Sequence, residues 1–285
     1  MYAITGRVCA YCGSLASDNR GDVEHYRPQS IYPWLTYEFT NYLIGCRVCN
    51  TSRKSKQFPL FPRSRRLQYK ARFFANPDAL QEALTRERRL LLDPVSDPID
   101  EWVDIEEEGN VARVCASTVA AENSTALRIV EETIKFFGLN TLVDLVTERD
   151  THVQAALIAL RKWKEGDSAK GDVVCALSNR YTPHGWAVRR VAERLAPTLA
   201  LPSAQGDLKW LIEQTINYIQ KADAILAKPI QPKDRKLAQS RKEEACWTLA
   251  TLWKDPPVAN SSVVEGWITA GGRRAEIEPF FNQLQ

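Results

Sequence analysis

Two cysteine pairs, Cys9-Ala-Tyr-Cys12 and Cys46-Arg-Val-Cys49, frame the stretch of sequence that decides the fold of the N-terminal region. Thiols stay reduced in the cytosol, and the two-residue gap lets both sulfurs of a pair face one tetrahedral ion. The repeated spacing therefore predicts a structural Zn2+ site. Because 33 residues separate the pairs, we expect the metal to tie together the two ends of an inserted unit. The predicted zinc ligands are Cys9, Cys12, Cys46 and Cys49.

The segment between the pairs carries side chains that can transfer a proton or hold a cation. It contains Asp22-Val-Glu24-His25-Tyr-Arg-Pro28 and Asn41-Tyr-Leu, and Asn50 follows the second pair. An imidazole titrates near neutral pH, so His25 is the candidate base. Glu24 and Asn50 offer oxygen ligands of the kind that Mg2+ prefers. The alternatives are a core histidine, a solvated strand-edge acid and an asparagine that caps a helix.

Positive charge is concentrated in the same region. Residues 1–75 hold 12 Lys or Arg against 4 Asp or Glu, although the formal net charge of the whole chain is only +3. A basic stretch interleaved with aromatic residues suits contacts with nucleic-acid phosphates and carries no base-specific readout. For any single basic residue, a solvated surface position is the alternative. The predicted nucleic-acid contacts are Arg47, Arg53, Lys54, Lys56, Arg63, Arg65 and Arg66.

Together these motifs resemble the HNH, or ββα-metal, endonucleases, many of which are clamped by two C-x-x-C pairs placed as they are here. The resemblance implies that His25 is the general base, that Glu24 and Asn50 hold a catalytic Mg2+ or Mn2+, and that Asn41 braces the loop that orients His25. Many relatives have Asp or His at the position of Glu24. We expect DNA to be the substrate. The alternatives are an RNA nuclease, acting for example on tRNA, and an inactive zinc-clamped adaptor that binds nucleic acid or protein.

A narrower resemblance, over about residues 1–150, is to the PtuB-like nucleases of Septu-type anti-phage systems and related retron effectors. It rests on Phe58-Pro-Leu60, on Leu91-Leu-Asp-Pro94 and on Thr133-Ile-Lys-Phe-Phe-Gly-Leu-Asn140. It implies the effector of a bacterial anti-phage defence complex, controlled by an ABC-type ATPase or another sensor subunit. The chain has no G-x-x-x-x-G-K-[ST] loop, so a nucleotide switch would have to come from the partner.

The rest of the chain is predicted to be mainly helical, because apolar residues recur at helical spacing. Asn76-Pro-Asp78 is a helix-start signal, and we expect this helix to reach about Leu92. A short β-hairpin is predicted near residues 102–114, around the turn signal Glu108-Gly-Asn110.

The predicted fold class is therefore α+β, with two domains. Residues 1–75 would form a small zinc-clamped ββα-metal HNH domain, and residues 76–285 a larger, mainly α-helical domain for regulation or partner binding. Apolar residues make up 44% of the chain, as in ordinary globular proteins, and the longest apolar runs are well short of the roughly 20 residues that cross a bilayer. The N-terminus lacks the features of a secretory signal. We expect a cytoplasmic protein with no membrane partner.

Overall fold

The computed structural model describes residues 8–16, 22–70, 77–108, 111–254, 256 and 259–284. The predicted cap Asn76 and the turn residues Gly109 and Asn110 lie outside these ranges. The chain divides into two compact units. We call Val8–Ser178 with Thr182–Leu199 the N-terminal unit, and Asn179–Tyr181 with the described residues from Ala200 onward the C-terminal unit.

The fold class is α+β, as predicted: the chain is mostly helical and contains two small sheets. The predicted boundary between residues 75 and 76 does not coincide with the division by packing. Residues from both sides of it, including Tyr26, Leu91, Ile105 and Phe137, share one hydrophobic core. The division by packing lies near residue 200 instead.

The N-terminal unit begins with a strand pair and a short helix, continues through a second strand pair and ends in helices. Its elements in chain order are β1 (Asp22–His25), the 3-10 turns Pro33–Leu35 and Phe39–Asn41, β2 (Tyr42–Gly45), the short helix Val48–Lys54, α1 (Pro77–Arg86), α2 (Ile99–Trp102), β3 (Val103–Glu108), β4 (Val111–Ala116), α3 (Thr118–Ala121), α4 (Ser124–Phe137), α5 (Val143–Lys164), α6 (Ala169–Leu177) and α7 (Gly185–Leu195).

β1 and β2 are antiparallel, with His25 opposite Tyr42. The helix Val48–Lys54 follows β2 almost directly and has wide, π-type hydrogen bonding, in which the Ser55 N–H donates to the Asn50 carbonyl at 2.6 Å. The local order is therefore strand, strand, helix. β3 and β4 are also antiparallel, and they occupy the region where the sequence predicts a hairpin.

Helix α1 is shorter than the sequence predicts, because it ends at Arg86 and not near Leu92. The residues after it pair with an extended segment from earlier in the chain. The Phe61 N–H donates to the Arg88 carbonyl at 2.9 Å, and the Leu90 N–H donates to the Pro59 carbonyl at 3.0 Å. These long-range hydrogen bonds replace the helical ones that local propensity favours.

A buried ion pair fixes the chain just after β1. Nε of Arg27 donates to Oε2 of Glu87 at 2.9 Å, and the side chains are only 6% and 0% exposed. The other carboxylate oxygen of Glu87 accepts from the Tyr32 hydroxyl and from the Leu67 N–H. A single carboxylate thus connects three parts of the N-terminal unit to the end of α1.

We expect Glu87→Gln to lower the free energy of unfolding by about 3 kcal/mol, because it leaves the Arg27 guanidinium buried without its counter-charge. Glu82→Gln is the matched control, since Glu82 and Arg86 form an exposed i,i+4 pair on α1. Its effect should stay below about 0.5 kcal/mol. Urea unfolding followed by circular dichroism measures both variants, and equal effects would show that the buried pair adds no stability of its own.

The C-terminal unit contains the helices α8 (Ala204–Leu226), α9 (Pro232–Lys254), α10 (Ser261–Ala270) and α11 (Arg274–Gln283). They enclose a separate core that includes Leu208, Ile212, Leu249 and Ile268. In the part of the chain that the structure describes, no helix combines the length and apolar character needed to cross a membrane.

Candidate functional site

The first cysteine pair lies in a tight turn before β1. The Cys9 N–H donates to the Ser14 carbonyl at 2.8 Å, and the Gly13 N–H donates to the Cys9 carbonyl at 3.0 Å. The Ala10 N–H donates to the Ile44 carbonyl of β2 at 2.9 Å, which fixes the turn against the strand that leads to the second pair. Both sulfurs of the first pair therefore face the end of β2.

The second pair continues from β2 into the short helix, and all four sulfurs meet. Their Sγ atoms lie within 4.8 Å of one another, and those of Cys12 and Cys46 are 3.8 Å apart. Four sulfurs bound at about 2.3 Å to a central ion would lie about 3.8 Å apart in a tetrahedron. Cys9, Cys12 and Cys49 are buried and Cys46 is partly buried. The cluster thus fits a structural zinc ion, as predicted from the spacing.

The contacts among the four thiols favour a charged sulfur. Hydrogen bonds with Cys12 and then Cys49 lower the pKa of the Cys46 thiol far below its ordinary value. The Cys49 N–H also donates to the Cys46 sulfur at 3.4 Å. Thiolate is the form that binds zinc, but hydrogen bonds within the cluster also raise the pKa of the Cys12 and Cys49 thiols, so the contacts favour the charged form at only part of the cluster.

Gly13 is required in the first turn for two reasons. Its φ of +80° lies in the left-handed region, and a Cβ atom there would lie 2.4 Å from Nε1 of Trp186. The Gly13 carbonyl also accepts from the N–H of His184 at 2.8 Å, and Nε2 of this buried histidine contacts the Ser14 hydroxyl at 3.3 Å. His184 therefore contacts the cysteine turn through both its backbone N–H and its ring, although the sequence gives no indication of this partner.

Glu24 lies on the buried face of β1 and is held by two side chains. Its Oε1 forms a close ion pair with Lys54 Nζ, and it accepts from the Tyr11 hydroxyl at 3.2 Å. Nζ of Lys54 also donates to the His25 carbonyl at 2.8 Å. Burial raises the pKa of the Glu24 carboxyl, and the positive charge of Lys54 partly offsets this shift. Burial likewise lowers the pKa of Lys54, with Glu24 opposing.

This ion pair corrects the prediction that Lys54 contacts nucleic acid, and it affects the prediction that Glu24 binds Mg2+. The Lys54 side chain is 0% exposed, so it does not belong to a nucleic-acid-binding surface. Its ammonium also occupies the position beside Glu24 Oε1 and neutralises the carboxylate. Glu24 and Asn50 are oxygen donors of the right type for Mg2+, but in this arrangement Glu24 does not fit an open metal ligand.

Asn50 lies in the first part of the short helix and close to Glu24. A Cβ atom on Gly45 would lie 3.1 Å from the Asn50 Cβ and 3.2 Å from the Glu24 Cβ. The glycine at the end of β2 thus lets the helix approach the strand pair closely. The structure brings together Glu24 and Asn50, the two predicted metal-binding residues, although 26 positions separate them in the chain.

His25 points away from Glu24, because neighbouring side chains on a strand alternate. Its Nε2 lies 3.1 Å from the Thr36 carbonyl, and its ring contacts Tyr42 edge-on with 5.1 Å between ring centroids. A carbonyl oxygen can only accept, so we assign the proton to Nε2 and leave Nδ1 as the basic nitrogen of the neutral ring. The imidazole is partly buried and held in one orientation.

Asn41 is buried at the base of the loop that connects β1 and β2. Its Oδ1 accepts from the Arg27 N–H at 2.7 Å, and its Nδ2 donates to the carbonyls of Arg27 and Leu35 at 3.0 and 3.3 Å. The side chain therefore joins the segment after His25 to the segment before Thr36. This contact fixes the loop whose carbonyl holds the histidine.

The other predicted basic residues differ in burial and in their contacts. Arg53 is partly buried against Gly138, and Arg66 donates to the Tyr32 hydroxyl at 3.3 Å. Arg63 and Arg65 line a cavity. The remaining two, Arg47 and Lys56, are exposed.

The loop between the strands contains two exposed aromatic residues that the sequence prediction misses. Tyr37 is 91% exposed and Phe39 is 66% exposed. The Phe39 ring lies 6.4 Å from that of Tyr42, which in turn contacts His25. Two aromatic residues in a short loop are a visible signal, but only the structure shows that they stay outside the core. The proximity of Lys54 to the site was also visible in the sequence, because Lys54 follows Asn50 by about one helical turn.

Comparisons of this chain with protein-family models, with curated proteins and with solved structures find no match in any of the three.

Proposed function

We propose that this protein is an HNH-type endonuclease that hydrolyses phosphodiester bonds of DNA. The observation that carries the proposal is the oriented imidazole of His25, which the Thr36 carbonyl holds through Nε2, so that Nδ1 is the ring nitrogen left to accept a proton. Two features support it further. His25 is the last residue of β1 in a strand, strand, helix segment. The cysteine cluster that fits zinc includes Cys49 of that helix.

In the proposed reaction, Nδ1 of His25 takes a proton from water, and the water oxygen attacks phosphorus. The bond from phosphorus to the leaving oxygen breaks, and solvent supplies the proton for that oxygen. Asn41 acts as a positioning residue, because its hydrogen bonds fix the loop that carries Thr36. Since Lys54 neutralises Glu24, we derive no step from a metal ion, although phosphodiester hydrolysis commonly uses one.

The exposed aromatic residues of the loop support a substrate with unpaired bases. Bases stack on exposed aromatic rings, and each such contact contributes about 1–3 kcal/mol to binding. We therefore expect Tyr37→Ala combined with Phe39→Ala to raise KM for a single-stranded oligonucleotide by about tenfold or more. The value of kcat should stay within about twofold, because neither ring contacts the reacting atoms.

Tyr218→Ala is the matched control for the loop variant, since Tyr218 is 40% exposed in the C-terminal unit. It should leave KM unchanged. Initial cleavage rates at several substrate concentrations measure these effects. An unchanged KM in the loop variant would remove Tyr37 and Phe39 from the substrate surface.

The central experiment incubates the purified protein with plasmid DNA, single-stranded DNA and tRNA, each without divalent cation and with added Mg2+ or Mn2+. Zinc content is measured after each incubation, so that loss of the structural metal is not mistaken for a cation requirement. Cleavage of DNA supports the proposal, and cleavage confined to tRNA moves the substrate to RNA. Activity that needs added Mg2+ or Mn2+ would mean that a divalent cation takes part in the reaction.

A specific observation favours one competing function, an inactive zinc-clamped adaptor. The buried Glu24–Lys54 pair gives Glu24 a structural partner, as expected in a site that has lost its metal. Such an adaptor would bind nucleic acid or protein. It would cleave none of the three substrates, even when partner proteins are added. The cleavage experiment, repeated with partner proteins added, therefore distinguishes the two functions.

We further propose that the nuclease is the effector of an anti-phage defence complex controlled by an ABC-type ATPase or another sensor subunit. The support is the sequence resemblance over about residues 1–150. Purification of the tagged full chain from its native host tests this proposal. A second protein with an ATPase motif should copurify, and repeated isolation of the chain alone would overturn it.

A further inference from the structure

Five exposed arginines line an open surface pocket of about 530 Å³ in the N-terminal unit. They come from three separate segments, which are the turn after Phe61, the region at the end of α1, and helix α4. We call this cavity the arginine pocket. Its arginines are Arg63, Arg65, Arg86, Arg88 and Arg128.

Long-range contacts build the arginine pocket. The hydrogen bond from the Phe61 N–H to the Arg88 carbonyl brings the first two segments together. The Phe61 ring is 8% exposed and is covered by two guanidinium groups, with Cζ of Arg88 4.9 Å and Cζ of Arg128 5.3 Å from its centroid. These cation–π contacts hold two of the five charges in place before any ligand arrives.

The backbone and charge of the pocket both indicate a binding site. Arg63 and Arg88 have φ values of +65° and +53°, a conformation that is unfavourable for a side chain other than glycine and is found more often at functional sites. Arg86 forms an exposed ion pair with Glu82. Within the described ranges, no acidic side chain forms an ion pair with the other four arginines. The pocket therefore concentrates positive charge, and four of its arginines form no ion pair with an acidic side chain of the described residues.

We propose that the arginine pocket binds a phosphate group with at least two negative charges, either a terminal phosphomonoester or a pyrophosphate. Guanidinium groups match phosphate oxygens in paired hydrogen bonds. A carboxylate offers only two oxygens, fewer than five converging arginines can use. The ligand is either the phosphorylated end of a nucleic acid or a free compound such as a nucleotide.

The test measures pyrophosphate binding to the full chain by isothermal titration calorimetry, without divalent cation. Arg63→Gln combined with Arg65→Gln should weaken binding at least tenfold, because two charge-assisted contacts are lost. Arg128→Gln, a change on a different element, should also weaken it. The matched control is Arg161→Gln with Lys164→Gln, which removes two exposed charges from α5 and should change affinity less than twofold.

A second set of titrations identifies the source of the phosphate. A single-stranded oligonucleotide carrying a 5′-phosphate is compared with the same oligonucleotide carrying a 5′-hydroxyl. A preference for the phosphate that disappears in the pocket variants identifies a nucleic-acid end. Pyrophosphate binding without such a preference identifies a free ligand. Absence of pyrophosphate binding, or equal weakening in the α5 control, would overturn the proposal. None of these measurements needs cleavage. The proposal of phosphate binding and the proposal of nuclease activity are therefore tested independently.

Discussion

Replacing His25 with alanine is expected to lower the rate of DNA cleavage by about 10²–10⁴-fold, the usual contribution of a general base. The physical reason is that Nδ1 of the oriented imidazole is the group proposed to take the proton from water. Binding should persist, because the exposed side chains of Tyr37, Phe39 and Arg47 remain. The measurement pairs single-turnover cleavage rates with oligonucleotide affinity for the same preparation.

His152→Ala is the matched control for this prediction. His152 is also a partly buried histidine, with Nδ1 2.9 Å from the Glu148 carbonyl, but it lies on α5. Its removal should leave the cleavage rate within about twofold. Thermal unfolding of both variants separates a lost base from a lost fold. Cleavage that survives His25→Ala in a folded protein would rule out the proposed mechanism.

The second large effect is expected from the cysteine cluster. Cys46→Ser combined with Cys49→Ser should abolish zinc binding and lower the stability of the N-terminal unit by at least about 5 kcal/mol, since metal binding of this kind is itself folding energy. The cluster connects the turn before β1, the end of β2 and the short helix, so its loss releases all three. Elemental analysis gives the zinc content, and the melting temperature should fall by about 10 °C or more.

Cys115→Ser is the control for the cysteine prediction. Cys115 is a partly buried thiol on β4, and burial raises the pKa of this thiol to about 11, so it is protonated at neutral pH. The variant should keep one zinc ion per chain and the wild-type melting temperature within about 2 °C. If the wild-type protein contains no zinc, or if the double variant melts like the wild type, the cluster is not a structural metal site.

Local signals in the sequence were sufficient for the elements near the site. The C-x-x-C spacing predicts a sulfur cluster because two residues separate the sulfurs of each pair, whatever surrounds them. The hairpin of β3 and β4 follows from a turn signal between two apolar runs, and the helices follow from apolar periodicity. In the hairpin and the helices, and within each cysteine pair, the decisive interactions join residues that are close together in the chain.

Tertiary structure decided the features that depend on distant residues. Glu24 meets Lys54 only because Gly45 lets the short helix pack closely against β1, and that contact turns a predicted metal ligand into half of an ion pair. Arg27 meets Glu87 across 60 positions, and this buried charge pair helps to join residues 8–70 to the rest of the core. A composition that shows only an excess of arginine does not reveal where guanidinium groups converge.

The sequence by itself determined that two cysteine pairs frame a segment of the N-terminal region and that this segment contains His25. Only the tertiary structure decided which charges are buried and paired and which remain free, because the cost of burying a charge depends on the neighbours that packing supplies. The basic stretch after the second cysteine pair illustrates the contribution of the sequence and that of the tertiary structure. Its positive charge was visible in the sequence. In the folded protein, however, Lys54 is buried, and Arg63 and Arg65 line the arginine pocket together with three arginines from distant positions in the chain.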